Sequence, residues 1–99
     1  MRRREILNQT GIGQTTFATY FRAGIIQVLS ENEVGREYHP DSVPRVELTR
    51  QLTRLGFKVD NVRILLERAG LEEVRSMLNS VPAGDFQRWA NEQLQAPSP

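Results

Sequence analysis

Residues 10–26, TGIGQTTFATYFRAGII, constrain this chain more than any other stretch. A short helix ending at Thr10 is expected to meet a tight turn through Gly11, Ile12 and Gly13. A second helix then covers residues 14–23 and stops at Gly24. Two glycines within three residues suit a sharp change of direction, because they reach backbone angles that other residues resist. Phe17, Tyr20 and Phe21 recur at three- and four-residue spacing, which gives the second helix one bulky apolar side that reads as core. The other side carries Gln14, Thr15, Ala18, Thr19 and Arg22, small or hydrogen-bonding residues with no carboxylate among them. A helix held from behind and presenting a neutral-to-basic polar face has what DNA reading requires.

The remaining chain reads as a series of short elements. Residues 4–10 form a first helix with Ile6 and Leu7 as its apolar contacts. Ile26, Val28 and Leu29 suit a strand, Ser30-Glu31-Asn32-Glu33 is turn-like, Gly35 completes the reversal and Arg36-Glu37-Tyr38 returns, giving a small hairpin or wing over residues 26–38. His39-Pro40-Asp41-Ser42 is a helix entry in which Asp41 or Ser42 is placed to cap free amides. Pro44 would strain a helix begun at Pro40, so regular structure is expected from Val43 or Pro44. The stripe Val46, Leu48, Leu52, Leu55 then runs to Gly56, with Phe57 placed to fold back on the last turn. A fourth helix over residues 59–69 buries Val62, Leu65 and Leu66 and stops at Gly70. Leu71, Val74 and Leu78 mark a short fifth helix. After a break at Pro82-Ala83-Gly84, Asp85 is expected to cap a last helix carrying Phe86, Trp89, Ala90 and Leu94. No internal repeat or low-complexity segment is present, and residues 96–99 read as a disordered tail.

Length and composition narrow the function classes. Ninety-nine residues make one domain, or one domain with a short appendage, and bury a modest core. No cysteine is present, which excludes disulfides and thiolate metal sites and agrees with a reducing cytoplasm. No apolar run follows Met-Arg-Arg-Arg to make an export signal, and no segment is long and apolar enough to span a bilayer. Charge is uneven along the chain. Residues 1–70 hold eleven Lys/Arg against eight Asp/Glu, and residues 71–99 hold two against four. A basic front with an acidic tail fits a nucleic-acid-facing module, although a difference of this size also arises in ordinary soluble domains. The lone histidine, His39, makes no metal site and reads as a capping or phosphate-contact residue. The pairs Glu72/Glu73 and Glu31/Glu33 read as solvated charge rather than as a catalytic pair, and no cofactor or enzymatic activity is expected.

The order helix–turn–helix, hairpin, helix, helix resembles the DNA-binding domain of the mercury-resistance-regulator (MerR) family over residues 5–68. The words that carry the resemblance are TGIGQTTFATYFRAGII, GREYHPDSV and LTRQLTRLGFKVDNVRILL, in the family's order. None is decisive alone; the ordered series makes the case. The resemblance implies a mainly α fold: a winged helix-turn-helix with a small two-stranded wing, followed by a helix pair and short C-terminal helices. It implies a second helix docked in the major groove of double-stranded DNA and wings gripping flanking phosphates. Carried over by position, Gln14, Thr15, Thr16 and Thr19 face the groove. Tyr20 and Arg22 lie near the backbone, and Arg36 and Tyr38 sit in the wing.

Departures from the family pattern are specific. Ala18 stands where an arginine is common, Phe21 where a charged residue is common, and Gly13 where a serine often caps the second helix; Lys58 replaces the cap of the fourth. Affinity is therefore expected to lean on Arg2, Arg3, Arg22 and Arg36, and Phe21 is expected to lack a burial partner. The tail differs most: the residues after 70 are expected to leave no room for an effector-binding domain, and Pro82 is expected to interrupt any long coiled coil.

These readings divide the chain into a DNA-binding domain at residues 1–70, a short helical extension at 71–95 and the tail. They describe a small cytoplasmic, nucleoid-associated, prokaryotic or phage transcriptional regulator with no small-molecule effector and no membrane partner. If it forms a homodimer, Leu78, Phe86, Trp89 and Leu94 are the expected anchors. The alternative within DNA binding is an architectural factor of the recombination-directionality or phage-packaging type. A protein-interaction module that has kept the fold and lost DNA is the alternative of another class.

Overall fold

In the computed structural model, residues 1–96 are described as a mainly helical chain with one small antiparallel hairpin. The elements are α1 (Arg3–Thr10), α2 (Gln14–Arg22), β1 (Val28–Asn32), β2 (Gly35–Tyr38), α3 (Ser42–Arg54), α4 (Val59–Ala69), α5 (Leu71–Ser80) and α6 (Ala83–Gln95). The chain divides into two compact units, one Met1–Val59 and the other beginning at Asp60. The division puts α4 with the C-terminal helices, whereas the sequence pattern groups it with the first 70 residues. Of the tail expected at residues 96–99, all but Ala96 lies outside the described residues. No helix among the described residues is long and apolar enough to cross a membrane.

In the first unit, α1 packs on α3 and β2. Ile6, Ile12, Phe17, Tyr20, Ile25, Ile26, Tyr38, Val46 and Leu52 are buried there. α1 opens one residue earlier than its apolar pattern indicates. Glu5 Oε1 accepts the Arg2 backbone N–H at 3.0 Å, which satisfies one of the amides that a helix start leaves free. At its other end Gly11 takes φ +76° and returns its N–H to the Leu7 carbonyl at 2.9 Å. Gly13 behaves differently from the expectation of a two-glycine turn. Its φ of −83° and ψ of 174° are open to any residue, so the reversal depends on Gly11 alone.

α2 ends in a tight motif. The Gly24 N–H reaches the Phe21 carbonyl at 3.1 Å and the Ile25 N–H reaches that of Tyr20 at 2.9 Å. α3 ends in the same way, with Gly56 N–H to Thr53 O at 3.1 Å and Phe57 N–H to Leu52 O at 3.1 Å, so the chain does fold back at Phe57.

The hairpin and α3 also differ from the sequence reading, and β1 starts at Val28 rather than at Ile26. β1 continues through Ser30 and Glu31 to Asn32, opposite Glu37, Arg36 and Gly35, so the reversal is confined to Glu33 and Val34. Asn32 Oδ1 stabilises it by accepting the N–H groups of Val34 (2.9 Å) and Gly35 (3.2 Å), a local bond that polar turn residues offer. α3 begins at Ser42, not at Val43 or Pro44. Pro44 falls in the first turn, where an N–H has no intrahelical acceptor to lose. Neither Asp41 nor Ser42 caps a free amide. Asp41 makes no side-chain cap bond, and the Ser42 hydroxyl donates backwards to the His39 carbonyl at 2.6 Å.

In the second unit, Val62, Leu65, Leu66, Val74, Phe86 and Ala90 are buried and α5 packs on α6. The break before α6 is shorter than expected. Only Val81 and Pro82 interrupt the helices, because Pro82 fits the N-cap and Ala83-Gly84 already belong to α6. Asp85 lies within the first turn without a cap bond and pairs with Arg88 at 3.5 Å. Arg68 donates to the carbonyls of Gln93 (2.7 Å) and Leu94 (2.9 Å), tying α4 to the last turn of α6.

Candidate nucleic-acid interface

The two faces of α2 separate as their composition requires. Phe17 and Tyr20 are buried, Gln14, Thr15, Thr19 and Arg22 are on the open side, and Thr16 and Ala18 are half-buried. Thr19 is not a free donor in this arrangement, since its hydroxyl bonds to the Thr15 carbonyl one turn back at 3.1 Å.

α1 and β2 bring arginines toward this face. An open cleft of about 870 Å³ is lined by Arg2, Arg3 and Arg4 from the N-terminus and α1, by Gln14 from α2, and by Arg36 and Tyr38 from β2. A smaller cavity of about 250 Å³ shares Arg3, Gln14, Arg36 and Tyr38 with it and adds Phe17, Ala18, Phe21 and Arg22. The one carboxylate on these walls is Glu5. Asn8, which sequence reasoning did not single out, also lines the larger cleft.

Two tyrosines assigned as surface contacts are core residues. Tyr20 is 7% exposed, and burial raises its phenol pKa against the lowering effect of nearby Arg50. Tyr38 is 2% exposed and stands edge-on to both phenylalanines, with ring centroids 5.4 Å from Phe17 and 6.1 Å from Phe21. Phe21 is therefore not short of partners. It is half-buried, stacked on Phe17 at 6.5 Å and covered by the Arg36 guanidinium at 5.3 Å. Phe17 is its neighbour one turn back on α2, but Tyr38 and Arg36 come from β2, and no helix period reveals them.

The arginines differ in how much charge they leave available. Arg2 is a strap: its Nε meets Glu37 Oε1 at 2.8 Å and its Nη1 donates to the Arg36 carbonyl at 3.3 Å. Glu37 also accepts from the Met1 ammonium at 2.6 Å, and that bond holds its carboxyl below the usual range. Arg36 bonds to Glu31 Oε1 at 3.1 Å, and hydrogen bonding first to Glu31 and then to Tyr38 raises its pKa. Arg3 lies over the Phe17 ring at 5.3 Å. Among the described residues Arg3, Arg4 and Arg22 have no ion pair. The hairpin tip is acidic and apolar, with Glu33 exposed and Val34 81% exposed, so its end offers no cation to a phosphate.

Two further arginines position the site and were not read from sequence. Arg50 Nη1 donates to the Thr10 carbonyl at 2.6 Å. Arg45 donates through Nε to Ile25 O (2.7 Å) and through Nη2 to Gly24 O (3.1 Å). α3 thereby holds the end of α1 and the end of α2, fixing the angle at which α2 is presented. No local signal marks them, because the carbonyls they meet belong to other segments of the chain.

The anchors named for a dimer also divide. Phe86 is fully buried against its own chain and is not available to a partner, while Leu78, Trp89 and Leu94 stay partly exposed. Among the described residues no group of three or more His, Asp or Glu is placed to hold a metal ion. Compared with protein-family models, curated proteins and solved structures, the chain matches none of them.

Proposed function

We propose that this chain is a DNA-binding protein that lays α2 against the major groove as a winged helix-turn-helix. The observation that carries the reading is the combined lining of the two cavities. Gln14 and Arg22 of α2 meet arginines of α1 and β2 there, and Glu5 is the one carboxylate on the walls, with Glu31 and Glu37 paired to Arg36 and Arg2 from outside them. Such a surface attracts the phosphate backbone, while Gln14 and Thr15 supply hydrogen-bonding groups for base edges. With Ala18 small and the Thr19 hydroxyl engaged by the Thr15 carbonyl, most of the affinity comes from the arginines rather than from base contacts. The MerR resemblance makes transcriptional regulation the natural role, and an architectural role on repeated sites uses the same surface.

The test is selection of bound sites from random duplexes, followed by affinity at several salt concentrations. Arg22→Ala should weaken binding and make the salt dependence shallower, by about one unit of slope for each phosphate that is no longer neutralised. Recovery of no enriched site, with no binding at low salt, would overturn the reading. A second reading, a protein-interaction module, is favoured by Leu29 and Val34, which are 57% and 81% exposed on the hairpin beside Glu31 and Glu33. An acidic, apolar tip of this kind suits a basic protein surface better than a phosphate backbone.

A further inference from the structure

We propose that Arg3 and Arg36, laid on the faces of Phe17 and Phe21, form a pre-oriented site for a phosphate group, with Glu31 competing for Arg36 in the unbound protein. The proposal takes its source of phosphate, the DNA backbone, from the preceding reading, while the site itself stands on its own geometry.

The platform is built by α2 and β2 together. Phe17 and Phe21 sit one turn apart with rings 5° from parallel, and Tyr38 meets both edge-on at 86° and 89°. Each ring carries one guanidinium at 5.3 Å, Arg3 from α1 on Phe17 and Arg36 from β2 on Phe21. A guanidinium lying on an aromatic face keeps its in-plane N–H groups free, and that planar fork matches the oxygens of a phosphate. Less side-chain freedom is then lost on binding than for a loose arginine. Both residues line the cavity of about 250 Å³, together with Gln14 and Arg22. This space is large enough for a tetrahedral oxyanion with hydrating water.

Glu31 makes the site competitive. Its carboxylate takes the Arg36 Nε–H at 3.1 Å, yet it is 60% exposed on a hairpin strand. An exposed pair of this kind is weak and exchanges readily for a ligand of higher charge. Glu31 therefore lowers the affinity for phosphate without preventing binding.

Two variants of the full chain test this site, the first separating it from simple charge attraction and the second testing the competition at Arg36. Phe21→Leu keeps every charge and most of the apolar bulk but removes one ring face; Glu31→Gln removes the competitor at an exposed position. Duplex affinity is measured by fluorescence anisotropy at several salt concentrations. The Arg3 and Arg36 Nε–Hε signals are followed by NMR as inorganic pyrophosphate is added. Phe21→Leu should weaken duplex binding by about three-fold with the salt slope unchanged, and Glu31→Gln should tighten it by about two- to five-fold. Pyrophosphate should shift both arginine signals, and more readily in Glu31→Gln. If the duplex fails to bind while pyrophosphate shifts both signals, the site stands with a free phosphate as its ligand and the DNA reading falls. If the duplex binds the wild type and both variants equally, the site falls and the DNA reading stands. If neither probe binds, both are overturned.

Discussion

Arg50 of α3 donates from Nη1 to the main-chain carbonyl of Thr10 at 2.6 Å, so the last turn of α1 is held by a charge from a different helix. The Thr10 hydroxyl is already committed to the Ile6 carbonyl at 2.6 Å, and Thr10 is 8% exposed. The carbonyl would otherwise be a poorly solvated acceptor at a helix end. With Arg45 on the carbonyls of Gly24 and Ile25, α3 grips the α1–turn–α2 segment at both ends.

Removing that grip should cost stability even though Arg50 touches no proposed ligand. A charged donor to a half-buried carbonyl contributes about 1.5–3 kcal/mol, so Arg50→Ala should lower the unfolding free energy by about 1–3 kcal/mol. Arg54→Ala, at an exposed position, should change it by less than about 0.5 kcal/mol. Urea denaturation followed through near-ultraviolet circular dichroism suits the purpose, because both tyrosines lie in the first unit and the tryptophan in the second. Equal effects from the two variants would show that Arg50 does not clamp α1.

The two turn glycines should respond in opposite directions. Gly11 has φ +76°, where a side chain is strained, and Gly11→Ala should destabilise by about 1–2 kcal/mol. Gly13 has an ordinary N-cap backbone, and an added Cβ would meet nothing within 4 Å. Gly13→Ser adds an acceptor for the free amides of α2 and restricts the unfolded chain. It should stabilise by about 0.5–1 kcal/mol, read as a rise in thermal midpoint.

The bond from the Met1 ammonium holds the Glu37 carboxyl below its ordinary value of 4.5. A group whose pKa is depressed in the folded state contributes stability that is fully present above the unfolded value. That contribution is lost as pH falls below 4.5 and through the folded value. The thermal midpoint of the wild type should therefore drop between about pH 5 and pH 3, and Glu37→Gln should remove that part of the drop while lowering the midpoint at neutral pH. A parallel pH profile in the variant would show that other carboxylates govern the acid limb.

The second unit separates packing from association. Phe86→Ala should destabilise by about 3–5 kcal/mol, because a fully buried ring is deleted. Trp89 keeps part of its surface exposed and packs on Phe86 at 5.7 Å. If the C-terminal helices join two copies, Trp89→Ala should lower the mass seen by sedimentation at micromolar protein. The same mass before and after would confine Trp89 to its own chain.

The elements are legible in the sequence because their signals are local. Gly24, Gly56 and Gly70 mark the helix stops, the stripe through Val46 and Leu52 marks α3, and the bulky side of α2 falls inward at Phe17 and Tyr20. The boundaries at Ser42 and Asn32 are not legible, because weak local preferences compete there with pairing. Pro44 is harmless in a first turn, and the polar Ser30 and Glu31 become strand once β2 supplies their partners.

The sequence by itself determined the order of elements and the polar face of α2, since both follow from the spacing of residues along one backbone. Only the tertiary structure decided which charges remain available. Glu37 engages Arg2, Glu31 engages Arg36, α3 directs Arg45 and Arg50 onto carbonyls, and Tyr38 turns inward to brace Phe21. Each of these pairings joins residues from different elements or opposite strands, and no periodicity encodes them. Their physical origin is the cost of leaving a carbonyl or an ion without a partner, which is settled only when the elements meet.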